Sequence, residues 1–138
     1  RKAERMKSGS AMKMVHESDP KEEVRKAVGD LSGITLMHNQ ILVGTYVRPE
    51  KTASGVFLPN QTRKEDVYQG KAGLVLMKGP LAFMDDERNK FHGQNVEVGD
   101  WVFYRVSDGW QLNINNHHCR IMEEVHVRGK LKSPDSIY

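Results

Sequence analysis

The sequence predicts a small all-β barrel preceded by a short helix. Short runs rich in β-branched and aromatic residues recur at 40–47, 72–78, 101–106, 110–114 and 119–128. Turn formers punctuate them: Gly79-Pro80, Gly99-Asp100, Ser107-Asp108-Gly109 and Asn115-Asn116. One apolar stripe at helical spacing, Val24, Ala27, Val28 and Leu31, comes before all the strands. Several short strands joined by such turns read as a barrel rather than as a layered α/β fold.

Residues 1–18 are polar and read as irregular. Arg1, Lys2, Arg5, Lys7 and Lys13 crowd this start, opposed early only by Glu4. A basic arm of this kind can contact nucleic acid or an acidic protein surface, and the plain alternative is a solvated tail. Aromatic residues do not interleave with the cations, so nucleic acid is not an expected partner. Asp19-Pro20 then starts the helix, with a capping side chain followed by proline at the first helical position. Glu22 and Glu23 sit in the first turn, where the helix dipole favours negative charge. Gly29 and Ser32-Gly33 end it. Val24, Ala27, Val28 and Leu31 form a candidate docking face, on the chain's own domain or on a neighbour.

The strand at 40–47 is apolar almost throughout, which predicts cover on both its faces. Pro49 stops it. A three-residue apolar plug follows, Val56-Phe57-Leu58, set between Ser54-Gly55 and Pro59. The sequence on both sides, 48–51 and 60–66, is polar and reads as turns. Gly55 permits unusual dihedrals before the plug and Pro59 holds the backbone after it. The plug reads either as something a loop offers to a partner or as a short edge strand closing over the core. Gly55, Val56, Phe57 and Leu58 are therefore candidate partner-binding residues.

Ala72–Lys78 is the next strand, ended by Gly79-Pro80. Residues 81–95 read as a long hairpin or Ω-like excursion, with Leu81, Phe83, Met84 and Phe91 on a charged background. Ser107-Asp108-Gly109 reads as a hairpin turn between the strands beside it. Trp110, Leu112 and Ile114 alternate with Gln111 and Asn113, as in a half-buried strand. The last clear strand, 119–128, places Ile121, Val125 and Val127 on one face. Arg120, Glu124, His126 and Arg128 take the other. The remainder is a polar tail with Pro134.

At 138 residues the chain has the size of one domain with an appendage, and its modest core would gain from oligomerisation. Net charge is +3 and mean hydropathy −0.63, which suits a soluble protein. No apolar run approaches the roughly 20 residues of a membrane span, so no membrane partner is expected. A basic start without a following apolar segment does not fit a signal peptide. The start at Arg1 rather than Met is expected if residues preceded it. A single cysteine, Cys119, fits a reducing compartment.

No catalytic constellation is legible. In His117-His118-Cys119, alternate residues of a strand point to opposite faces, so they do not converge as a zinc site needs. A structural cysteine and two turn histidines is the better reading. Asp85-Asp86 with His92 matches no ligand spacing and reads as a solvated turn. Gly70 and Gly73 lack the Lys-Ser/Thr of a phosphate loop and the helix after it. No enzyme activity, cofactor or metal is therefore expected.

Three segments in series resemble one family. They are Lys51-Thr52-Ala53-Ser54-Gly55-Val56-Phe57-Leu58-Pro59, the strand from Gly70-Lys71 to Gly79-Pro80, and Val98-Gly99-Asp100 with its strand. In this order and spacing, over about residues 39–131, they resemble the GroES-like co-chaperonins, which include bacteriophage-encoded members. The resemblance implies a GroES-like β-barrel with the plug in a mobile loop and 81–95 as a roof hairpin. It implies a heptameric ring, binding no nucleotide, whose loops bind the apical domains of a chaperonin and cap it during ATP-dependent folding in the cytoplasm, the host's if phage-encoded. The implied layout is a basic arm with helix at 1–38, the barrel domain at 39–131 and a tail at 132–138. Two features depart from the family: the stretch before residue 39, and Phe57 where many members carry a smaller aliphatic residue. The first supports an alternative, a virion structural protein such as a capsid decoration protein, holding the major capsid protein through its arm and loop.

Overall fold

The computed structural model describes residues 14, 16, 18–49, 57–87 and 90–138. Helix α1, Pro20–Val28, starts where Asp19 accepts a hydrogen bond from the Lys21 N–H at 3.0 Å. It ends at Gly29, whose φ of 69° favours glycine and whose N–H donates to the Arg25 carbonyl at 3.0 Å. Val24 and Val28 are buried, while Ala27 is exposed.

The strands are β1, Gln40–Thr45; β2, Ala72–Lys78; β3, Trp101–Phe103; β4, Trp110–Ile114; β5, His117–Glu123; and β6, Gly129–Leu131. They form one antiparallel sheet in the order β4-β5-β1-β2-β3-β6. Pairing runs through Val43 opposite Val75 and Arg120, Leu74 opposite Trp101, and Trp101 opposite Leu131. The register shifts between Leu42 and Val43, where Leu76 of β2 is the extra residue between the partners Met77 and Val75. The pairings lie in a row with β4 and β6 at its ends; a ladder closing that row into a barrel is not among the described pairings.

Alternation along the strands makes two apolar layers, as the near-continuous apolarity of β1 predicts. One face carries Leu42, Leu74, Leu76, Trp101 and Cys119, covered by Val24 and Val28 of α1. Helix α1 thus docks on the chain's own sheet. The other face carries Ile41, Val43, Val75, Val102 and Met122, with Ala82 and Val96 laid over them. Gly44 sits under α1: a Cβ there would meet Val24 Cγ1 at 2.6 Å. The tail returns to the sheet, since Ile137 and Tyr138 pack against the α1-side layer after a 3-10 turn at Pro134–Ile137.

Several expectations are corrected. Residues Asn60–Gln69 form a second helix, α2, rather than turns; Gln, Arg, Lys and Glu are good helix formers even without an apolar stripe. The turn at 107–109 does not join paired strands, because β3 pairs with β2 and β6 while β4 pairs with β5. The last strand ends at Glu123, and a 3-10 turn at Glu124–His126 breaks its alternation. Val125 is consequently exposed and Glu124 buried, accepting the Phe83 N–H at 2.8 Å. Arg120, assigned to a polar face, is 1% exposed. The histidines of 117–119 lie on β5, not in a turn. The excursion at 80–83 is turned, with Phe83 at φ 60°, and carries no strand among its described residues.

Candidate partner-binding site

Of the candidate partner-binding residues, Gly55 and Val56 lie outside the described residues, as do Arg1, Lys2, Arg5, Lys7 and Lys13. Phe57 is 63% exposed, while Leu58 beside it is buried. The plug is therefore split, with one apolar side chain turned outward and the next turned into the protein. Pro59 follows and α2 begins at Asn60.

The two sides of the plug are held together at their base. Arg48 lies just after β1 and Asp66 lies in α2, 18 residues later. The Arg48 Nε and Nη2 each donate to one oxygen of the Asp66 carboxylate at 2.9 Å, and the Arg48 backbone N–H donates to it at 3.0 Å. Both side chains are buried, so this fork-to-carboxylate pair is shielded from water. The Asp66 carboxylate holds the guanidinium above its ordinary range, against the opposing effect of burial. Arg63 Nε adds a bond to the Arg48 carbonyl at 3.1 Å. The Arg48 guanidinium stacks 4.4 Å from the centre of the Tyr138 ring.

The network continues toward the N-terminal side. Tyr46 donates its hydroxyl to Asp135, whose other oxygen lies 2.9 Å from His16 Nε2. Burial, then the Asp135 carboxylate, push the Tyr46 phenol well above its usual range. A cavity of about 310 Å³ opens beside these groups, lined by His16, Glu23, Val24, Tyr46, Arg63 and His117 among others.

The remaining candidate chemistry is structural. His118 Nδ1 lies 2.8 Å from Thr45 Oγ1, and His117 Nε2 lies 3.0 Å from the Thr45 carbonyl. Burial lowers both imidazole pKa values, and the nearby Arg120 charge lowers His118 further. Cys119 is fully buried, and burial pushes its thiol up to about 11, away from the thiolate a nucleophile requires. Asp85 accepts the Phe91 N–H at 2.7 Å. Among the described residues, no group of three His, Cys, Asp or Glu side chains is placed to hold a metal ion.

Residues 33–131 match the family described as the chaperonin 10 kDa subunit. This chain belongs to that family. The chaperonin 10 relatives include a protein named co-chaperonin GroES 2 from Mesorhizobium japonicum, 31% identical over 101 residues, covering 73% of this chain and 91% of that protein. Co-chaperonin GroES 3 of Bradyrhizobium diazoefficiens is 33% identical over 95 residues, covering 69% and 86%. The mitochondrial 10 kDa chaperonin of Arabidopsis thaliana is 29% identical over 93 residues, covering 67% and 88%. The family match starts at residue 33, so α1 and the arm before it lie outside the matched chaperonin 10 region.

Sequence reasoning missed α2 and the Arg48–Asp66–Tyr138 cluster. Nothing local marks them. Asp66 stands in a run of charged residues, and only its partner across the loop makes it a buried group.

Proposed function

We propose that this chain is the subunit of a co-chaperonin ring that caps a chaperonin during ATP-dependent protein folding, without catalysis of its own. The family match over residues 33–131 carries the reading. The ring is a heptamer of GroES-like barrels formed by residues 39–131, with 81–95 at its roof. Gly55, Val56, Phe57 and Leu58 meet an apolar groove on the chaperonin's apical domain. The exposure of Phe57 supports this, because a large apolar side chain at 63% exposure gains most from docking. An apolar side chain of this kind contributes roughly 1.5–3 kcal/mol when fully buried. Ordering the loop consumes much of that, so single contacts are weak and several loops acting together make firm but reversible capping. The subunit acts where its chaperonin does, in the cytoplasm; among the described residues no helix is long and apolar enough to cross a membrane.

The relatives named above are bacterial and plant proteins. They lend nothing to a bacteriophage origin or to the virion alternative, and neither is carried further. The test is nucleotide-dependent capture. Val56→Ser with Phe57→Ser should abolish capture by a chaperonin in the presence of ATP while native mass spectrometry shows the ring unchanged. Buried Leu58 is left in place to spare the fold. Undiminished capture would remove the loop from the mechanism.

A further inference from the structure

Helix α2 lacks the usual means of attachment. Asp66 is its only buried residue, and Pro59 at its start provides no side-chain cap. A helix polar on all sides needs some anchor other than an apolar face. Two arginines provide it. Arg48 grips the Asp66 carboxylate, and buried Arg120 donates Nη2 to the Tyr68 carbonyl in the last turn at 3.1 Å. Arg48 is in turn covered by the ring of Tyr138, whose hydroxyl accepts the Lys71 N–H at 3.3 Å, just before β2.

We propose that Arg48, Asp66 and Tyr138 form a staple that fixes the base of the partner-binding loop, and that Tyr138 thereby sets how readily the loop is captured. The proposal rests on the co-chaperonin reading. These three are positioning residues: none need touch the chaperonin. A loop whose ends are already fixed has fewer residues to order on docking. Breaking the staple lengthens the segment that must be ordered, so capture weakens even though every apolar contact residue remains. Tyr138 contributes by excluding water from the ion pair, which strengthens it.

The experiment uses the full chain with Asp66→Asn, Arg48→Lys or Tyr138→Ala. Arg48→Lys keeps the charge but loses the fork; Tyr138→Ala leaves no buried charge unpaired. The first readout needs no partner: the rate of tryptic nicking after Arg63 and Lys64 in α2. The second is capture by a chaperonin with ATP. The expected result is nicking at least about tenfold faster and capture at least about tenfold weaker, the ordering of about one further residue per loop. A control, Val28→Ala, thins the core under α1 and should leave nicking in α2 unchanged. Unchanged nicking in Asp66→Asn overturns the staple, as does faster nicking with unchanged capture. If the wild-type chain is not captured at all, the co-chaperonin reading falls, and the nicking rates still decide whether the staple holds the loop base.

Discussion

Arg120→Met separates a surface arginine from an enclosed one. In the fold, Arg120 Nη1 donates to the carbonyls of Val106 at 2.6 Å and Asp108 at 3.0 Å, and Nη2 donates to that of Tyr68 at 3.1 Å. The side chain is 1% exposed, and its stem lies along the β5 face that carries Met122. Methionine keeps most of that packing and removes all three donors. Each orphaned carbonyl costs about 1–3 kcal/mol where water cannot reach it. Removing a buried charge returns part of this, because among the described residues Arg120 Nε has no partner and no carboxylate accepts from this guanidinium. The net expectation is a loss of about 2–4 kcal/mol. In urea, with a slope of about 1–3 kcal/mol/M, the midpoint should fall by roughly 1–2 M at unchanged slope and fixed protein concentration. A loss within about 0.5 kcal/mol, as for an ordinary surface substitution, would refute the enclosure of Arg120.

Two further outcomes are expected. Gly44→Ala places a Cβ at 2.6 Å from Val24 Cγ1 and 3.1 Å from Leu76 Cδ1, so the Val24 side chain, or α1 with it, must shift. The chain should lose about 1–3 kcal/mol and be cut faster by trypsin after Arg25 and Lys26; adding Val24→Ala should restore much of both, and no restoration would place the clash elsewhere. For pH, His117 and His118 are held below the ordinary value of 6.5 by burial. Below that value the unfolded chain takes up protons that the folded chain resists. Stability present above pH 6.5 is therefore lost as pH falls through it toward the folded values. Urea midpoints at pH 7.5 and 5.5 should differ, and His118→Gln should shrink the difference; an equal drop in the variant would acquit the imidazole.

The elements legible in the sequence are those whose causes are local. Asp19-Pro20 caps and starts a helix wherever it stands, and the helix is found at Pro20–Val28. The β-branched run in β1 and the Gly79-Pro80 stop of β2 likewise act through their own backbone. The order of the three family segments identified the family for the same reason: motif and spacing are properties of the chain itself.

Other features required the fold. Whether α1 docks at home depends on Gly44 leaving room beneath it, a contact between residues far apart in sequence. Arg120 alternates in step with polar residues, yet the turn at 105–109 and the end of α2 bring carbonyls that enclose it. Asp66 reads as one charge in a solvated run until Arg48 and Tyr138 close over it. Caps, turns and strand propensities are decided within a few residues and can be read in order. Whether a charge is solvated or buried depends on partners that only long-range packing supplies.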